Sequence, residues 1–257
     1  MPEQPRVFVT RRLPGDAVER LALHARVDLW TDEPPPPYGE LTRRAAAADA
    51  IVCLLTDRID AALLDAAPRL RVVSNVAVGY DNIDVAAASA RGIPVGNTPG
   101  VLTETTADLA FALMLAAARR VTEAERFLRE GRWRTWDPSL LLGYDVHGAT
   151  LGIAGYGKIG QAVARRAVGF RMRILYANRS AVTGAPGERV SLDDLLRASD
   201  FVSLHLPLTP ETRRIIGERE LRLMKRTAIL VNTERGGVID QAALVRALEE
   251  GWIAGAG

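Results

Sequence analysis

The strongest chemical signal in the chain is a set of glycines at fixed spacing. Gly155-Tyr156-Gly157-Lys158-Ile159-Gly160 follows the apolar run Leu151–Ala154 and opens the helical stretch Gln161–Val168. A strand that turns into a helix through GxGxxG forms a phosphate cradle. Gly155 permits the tight turn, Gly157 lets backbone approach a pyrophosphate, and Gly160 lets helix and sheet pack closely. The helix N-terminus adds unpaired N–H groups and a partial positive charge. A glycine-rich turn without a ligand is the plainer reading, and the strand–helix context argues against it. About 20 residues further on, an NAD site would carry an acid for the ribose 2′-hydroxyl. The sequence there is Tyr176-Ala177-Asn178-Arg179-Ser180. It has no carboxylate to repel a phosphate; Arg179 can pair with one, and Asn178 and Ser180 can donate hydrogen bonds. NADP(H) is therefore expected in preference to NAD(H), against the alternative of a solvated surface arginine.

Two further groups suit an organic anion. Arg235 follows the apolar run Ala228–Asn232 and precedes Gly236-Gly237, which places it at the carboxyl end of a strand, where α/β sites form. Its planar fork matches a carboxylate; a surface arginine in a turn is the competing reading. The loop Val76–Gly79 is expected to present backbone N–H groups as an anion nest. A simple strand-to-helix turn is its alternative.

These groups need elements to hold them, and short apolar runs alternate with helical patterns throughout. Val7–Val9, Val27–Leu29, Ala50–Leu55, Leu70–Ser74 and Ile93–Val95 read as strands. Helices are expected over Asp16–Leu23, Gly39–Ala47 and from an Asp60 cap to Ala67. Pro34–Pro37 forms a stiff loop that cannot join a ladder. A long helix over Thr103–Arg119 leads to strands at Leu151–Ala154, Arg173–Tyr176, Phe201–Leu204 and Ala228–Asn232, and a fifth starts at Ile253–Ala254. The alternation implies an α/β fold of parallel sheets with helices on both faces. It divides the chain into domains at 1–97 and 98–257, with the second sheet left short at Gly257 and the C-terminal part of the fold missing.

Composition narrows the function classes. With 48% hydrophobic and 25% charged residues, the chain is made like an ordinary soluble enzyme. A net charge of only +2 supplies no polybasic face for nucleic acid or an anionic membrane. Leu109–Ala118, the most apolar stretch, is too short to span a bilayer, and no signal peptide is read at the start. The single cysteine, Cys53, has apolar neighbours and reads as a buried core thiol. A cytoplasmic protein is expected.

Four motifs in order carry a family resemblance over essentially the whole chain. They are Val78-Gly79-Tyr80-Asp81-Asn82-Ile83-Asp84, Gly100-Val101-Leu102-Thr103-Glu104-Thr105-Thr106-Ala107-Asp108, the glycine loop, and Asn232-Thr233-Glu234-Arg235-Gly236-Gly237-Val238-Ile239-Asp240. The chain resembles the D-2-hydroxyacid dehydrogenases. It is most similar to the glyoxylate/hydroxypyruvate reductases in Val7–Pro14, Cys53–Asp57 and the paired tryptophans Trp133 and Trp136. The resemblance implies a flavodoxin-like substrate-binding domain and a Rossmann NAD(P)-binding domain. It also implies NAD(P)H-dependent reduction of a small 2-oxo acid, glyoxylate or hydroxypyruvate, to the 2-hydroxy acid. That chemistry needs the carboxylate held, the ketone polarised and a proton supplied.

Carried over by motif, Arg235 is the catalytic arginine that binds substrate carboxylate and carbonyl, and Val78 and Gly79 grip the same carboxylate. Leu55 borders the substrate. Lys158 and Ile159 lie at the pyrophosphate turn, Thr233 near the nicotinamide ribose, and Leu206 and Pro207 in the cofactor wall. Thr106 either borders the nicotinamide or is a helix-lining hydroxyl. Trp136 is either the tryptophan that one subunit of a homodimer inserts at its partner's site or a plain core or interface tryptophan. The apolar Thr103 helix, Trp133, Trp136 and Leu140–Leu142 point to a homodimer through residues 103–145.

Two departures accompany the resemblance. Glu234 stands where the family has a small residue, and a carboxylate pointing at the clamp would repel substrate, so it is expected to face solvent. The family's acid/base histidine and its glutamate partner fall beyond Gly257, so the 257-residue chain is expected to be inactive. His24, His147 and His205 read as structural or solvated. A non-catalytic dinucleotide sensor or scaffold of the same fold, or another 2-hydroxyacid dehydrogenase such as phosphoglycerate dehydrogenase, is the alternative.

Overall fold

The structure, a computed structural model, describes residues 4–257 and divides into two compact units, 1–101 and 102–257. The sequence placed the division at 97/98. The first unit runs β1 (Arg6–Val9), α1 (Ala17–Ala22), β2 (Arg26–Leu29), α2 (Tyr38–Ala45), β3 (Ala50–Cys53), α3 (Ala61–Ala66), β4 (Val72–Asn75), α4 (Val85–Ala90) and β5 (Val95–Gly96). All its pairs are parallel, in the order β2-β1-β3-β4-β5, the flavodoxin-like arrangement. Phe8, Ile51, Cys53 and Val73 pack under α2, α3 and α4, while Val7 and Val9 face α1 on the opposite side. A strand covered on both faces must be apolar at successive positions, which is why these runs do not alternate with polar residues.

The second unit begins with α5 (Thr103–Ala118) and α6 (Val121–Arg129), followed by β6 (Thr150–Ala154), α7 (Lys158–Gly169), β7 (Arg173–Ala177) and β8 (Glu188–Arg189). Then come α8 (Leu192–Ala198), β9 (Phe201–Leu204), α9 (Glu218–Leu223), β10 (Ile229–Asn232), α10 (Gln241–Glu249) and β11 (Gly255–Ala256). Its parallel sheet has the order β11-β10-β9-β6-β7-β8, which is the doubly wound dinucleotide-binding order. Helices α5 and α7 cover one face around Phe111, Met114, Val163 and Ile153. Helices α8, α9 and α10 cover the other around Leu195, Leu221, Ala243 and Leu230. Arg166 on α7 ties down α5 by pairing with Glu104 and Asp108.

Some boundaries differ from the sequence reading for identifiable reasons. Strand β3 ends at Cys53, because the Asp57 carboxylate accepts from Leu54 N at 2.8 Å and folds the chain into a turn. The last strand lies at Gly255–Ala256, two residues later than read, because Gly251 turns left-handed (φ 66°) and Ala254 N first bonds Ala228 O. Helices α4 and α6 and the short strand β8 went unread. Helix α4 has no charge in its first turn and relies on the Asp84 cap, whose side chain accepts from Ala87 N. Among the described residues, no helix is long and apolar enough to cross a membrane.

Candidate functional site

In the second unit the loops after β10, β9, β6 and β7 stand side by side at the carboxyl edge of the sheet. Strand order reverses between β9 and β6, the place where a doubly wound sheet opens a crevice. Gly155 occupies that point with φ 90°, and a Cβ there would lie 2.2 Å from His205 O. At Gly160 a Cβ would lie 2.3 Å from Gly155 O, so only glycine lets α7 approach the turn. At Gly157 a Cβ would meet nothing within 4 Å, so the loop is open on that side. Lys158, Ile159 and Gly160 form the first turn of α7, where N–H groups have no intrahelical acceptor. A cradle closed by backbone on two sides and open at Gly157 fits a dinucleotide pyrophosphate.

Tyr156, at a variable position of the motif, is fully buried. Its ring stacks on Tyr176 with centroids 4.0 Å apart, and its hydroxyl donates to Pro186 O. Burial pushes its pKa up to about 12.

Asn178, Arg179 and Ser180 follow β7. Asn178 acts as a strut: its oxygen accepts from Tyr156 N at 3.3 Å and its amide donates to Ser180 O at 2.9 Å. Its amide is therefore engaged within the loop, where the sequence reading had it donating to a phosphate. Arg179 and Ser180 are exposed. Arg189 on β8, which sequence reasoning missed, donates to Asn178 O at 3.1 Å and Arg179 O at 2.7 Å. Both bonds join residues about a strand-turn apart across an irregular loop, so no motif announces them. Glu211 approaches from the loop after β9; its carboxyl sits below the ordinary glutamate range, chiefly through the Thr209 hydroxyl, with Arg179 contributing.

The turn after β10 holds Thr233, Glu234 and Arg235. Asn232 staples it, accepting from Glu234 N at 3.1 Å and donating to Arg235 O at 3.1 Å. Thr233 Oγ1 is buried without a hydrogen-bond partner among the described residues, a polar atom available to a ligand. Glu234 corrects the sequence reading: instead of facing solvent it is largely covered, with Oε1 3.6 Å from His205 Nδ1. The cause is the parallel pairing of Asn232 with Leu204, which sets the residues after each strand side by side. Leu206 and Pro207 leave β9 next to this turn.

In the first unit the loop Val76–Tyr80 follows β4, and its carbonyls are pinned one after another. Ala77 O accepts from Thr98 N at 3.0 Å, Val78 O from Asn97 Nδ2 at 2.8 Å, and Gly79 O from Asn75 Nδ2 at 2.8 Å. In a trans peptide, C=O and the following N–H point in opposite directions. Pinning Ala77 O and Val78 O therefore turns the N–H groups of Val78 and Gly79 the other way, and neither donates to a described residue. Two adjacent N–H groups are thereby left without an acceptor on one side of the loop. Asn82 joins this loop to the one carrying Leu55, donating to Leu54 O at 3.1 Å and Asp57 O at 3.0 Å. Leu55 is exposed there. The sequence analysis missed Asn75, Asn82 and Asn97; Asn82 and Asn97 act on carbonyls distant in sequence, while Asn75 bonds the loop that follows it. Cys53 beneath is fully buried, and burial pushes its thiol up to about 12.

The structure thus gathers Gly155, Gly157, Lys158, Ile159, Gly160, Asn178, Arg179, Ser180, Leu206, Pro207, Thr233 and Arg235 at one sheet edge, and Leu55, Val78 and Gly79 at another. Thr106 lies half-buried on α5, and Trp136 is exposed on the loop after α6; neither belongs to the strand-end loops.

Residues 111–257 match the family described as "D-isomer specific 2-hydroxyacid dehydrogenase, NAD binding domain". A glyoxylate reductase of Korarchaeum cryptofilum is 60% identical over 99% of this chain and 78% of its own length. A crystal structure of a Thermus thermophilus protein superposes with a TM-score of 0.92 at 49% identity, covering 98% of this chain and 80% of that one. An NADPH-dependent glyoxylate/hydroxypyruvate reductase of Sinorhizobium meliloti, solved with NADP and malonate, gives 0.86 at 34% identity over 99% of this chain and 79% of its own. Identity at this level across nearly all of the chain, together with the glycine cradle and doubly wound sheet, places it in the D-isomer-specific 2-hydroxyacid dehydrogenase family.

Proposed function

We propose that this protein reduces a small 2-oxo acid, glyoxylate or hydroxypyruvate, to the corresponding 2-hydroxy acid with a nicotinamide cofactor, NADPH in preference to NADH. The observation that carries the reading is the pair of adjacent N–H groups at Val78 and Gly79, which two pinned carbonyls turn outward and which suit a carboxylate. Arg235, the catalytic residue of this reading, has a planar fork that suits a carboxylate and a ketone oxygen. Leu55 adds an apolar wall that favours a short substrate. Bound nicotinamide supplies the hydride. Gly155, Gly157, Lys158, Ile159 and Gly160 hold its pyrophosphate, and the buried Thr233 hydroxyl and the Leu206-Pro207 wall hold the nicotinamide end.

The preference for NADPH rests on the exposed Arg179 and Ser180, the absence of a carboxylate at the end of β7, and the grip of Arg189 on the loop carbonyls. The NADPH-dependent relative of Sinorhizobium meliloti is in keeping with it. A homodimer is part of the same proposal. Leu109, Val121, Leu128, Trp133, Trp136 and Leu142 are all exposed between 103 and 145, more apolar surface than one unit leaves bare, and Trp136 would reach the partner's site. The buried thiol fits a reducing compartment such as the cytoplasm.

Oxidation of NADPH on addition of glyoxylate or hydroxypyruvate tests the reading. Arg235→Ala should lower kcat/KM by about 10²–10³-fold while leaving NADPH affinity within a few-fold. Turnover that survives the substitution would remove Arg235 from the clamp. Sedimentation at micromolar concentration should give a dimer, and a stable monomer would refute that part.

A further inference from the structure

His205 and Glu234 have no task in the reading above, yet they are placed together. His205 follows β9 with its side chain buried, and its Nε2 lies 2.8 Å from Ser203 Oγ. Its Nδ1 is buried without a hydrogen-bond partner among the described residues and faces Glu234 Oε1 at 3.6 Å. One tautomer serves both ends: Ser203 donates its hydroxyl proton to Nε2, and the ring proton sits on Nδ1 toward the carboxylate. A neutral imidazole suffices. Glu234 is the residue before Arg235, and Asn232 fixes the backbone on either side, at Glu234 N and Arg235 O. Only the side-chain torsions of Glu234 remain to decide where its negative charge goes.

We propose that His205 is a positioning residue that holds the Glu234 carboxylate inward and keeps it off the anion that Arg235 receives. The proposal rests on the reading of Arg235 as the carboxylate clamp. Without the Nδ1 proton, the Glu234 carboxylate is free to pair with Arg235 or to meet the substrate carboxylate as a like charge. Either outcome weakens substrate binding and leaves cofactor binding alone. A purely structural histidine would not make the damage depend on Glu234.

The test is a double-mutant cycle on the full chain, read first as binding of the non-reducible carboxylate oxamate to the NADPH complex and as NADPH Kd, with glyoxylate KM and kcat taken where turnover is measurable. His205→Gln keeps a partner for Ser203 and removes the donor facing Glu234. It should raise KM and the oxamate Kd about tenfold with kcat and NADPH Kd within about twofold. Glu234→Ala alone should bind substrate no worse than wild type, and His205→Gln/Glu234→Ala should return to it. His205→Asn, which keeps a donor near the Nδ1 position, should resemble wild type. If His205→Gln does not fold, Ser203→Ala releases the ring from its other end and should give a KM rise that Glu234→Ala removes. Damage of equal size with and without Glu234 overturns the proposal alone. A wild-type NADPH complex that does not bind oxamate overturns the clamp reading and this proposal with it.

Discussion

The two loops proposed to receive anions are built in opposite ways. At Gly155–Gly160 the main chain is itself the wall: a Cβ at 155 would press on His205 O, and one at 160 on Gly155 O. At Val76–Tyr80 the main chain is aimed by amide side chains, Asn97 and Asn75, acting on carbonyls across 19 and 4 residues. The first construction tolerates no side chain at 155 or 160 and depends on close packing. The second tolerates side chains at the nest and depends on hydrogen bonds that could be replaced or lost one at a time. A cradle of the first kind should fail all at once, and one of the second kind by degrees.

The contrast can be broken most directly at Gly155. Gly155→Ala adds a methyl group where 2.2 Å is available and where φ is 90°, so it should destabilise the protein by about 2–5 kcal/mol. NADPH binding should vanish with it; a thermal melt and a fluorescence titration measure both. Retention of wild-type affinity would show that the loop can move off β9, and the contrast would fall.

Asn75→Ala probes the other construction and should act more gently. Losing the bond to Gly79 O frees the Gly79–Tyr80 peptide that adjoins the two N–H groups, at about 1–3 kcal/mol. Glyoxylate KM should rise about tenfold while NADPH affinity holds. Selective ¹⁵N-glycine labelling would show the Gly79 amide shifting in the variant. An unchanged amide would mean that Asn97 and Thr98 alone set the loop.

Cofactor choice sharpens the comparison within the second unit, because the loop at 178–180 is built like the nest, by side chains on carbonyls. Arg179→Ala should weaken NADPH by about 1.5–3 kcal/mol, roughly 10–100-fold, and leave NADH nearly unaffected. Equal losses for both cofactors would place Arg179 on the shared part of the dinucleotide.

The smallest effect is expected at Cys53, in the core beneath the nest. Its thiol pKa is raised from 9.0 to about 12 by burial, so the folded protein keeps a proton that the unfolded chain loses. The stabilising contribution is complete below pH 9.0 and is lost as pH rises toward about 12. Native protein should therefore resist thiol reagents near neutral pH and react once denatured. Ready reaction of native protein would mean that the floor of the nest opens.

The sequence alone determined the α/β class, most strands and the glycine cradle, since periodicity and backbone sterics are local properties. Buried strands must be apolar on both faces, and a strand–GxGxxG–helix transition restricts the residues at its own positions. It also singled out Arg235 and Val78-Gly79 as candidates, through motif. Only the tertiary structure decided what surrounds them. Arg189 reaches the Arg179 loop from β8, Asn97 and Asn82 act over long separations, and Glu234 turns to His205 because β9 and β10 are parallel neighbours. Strand order brings these pairs together, and it is set by which apolar faces share a core, a property of the whole packed chain that no local stretch of sequence contains.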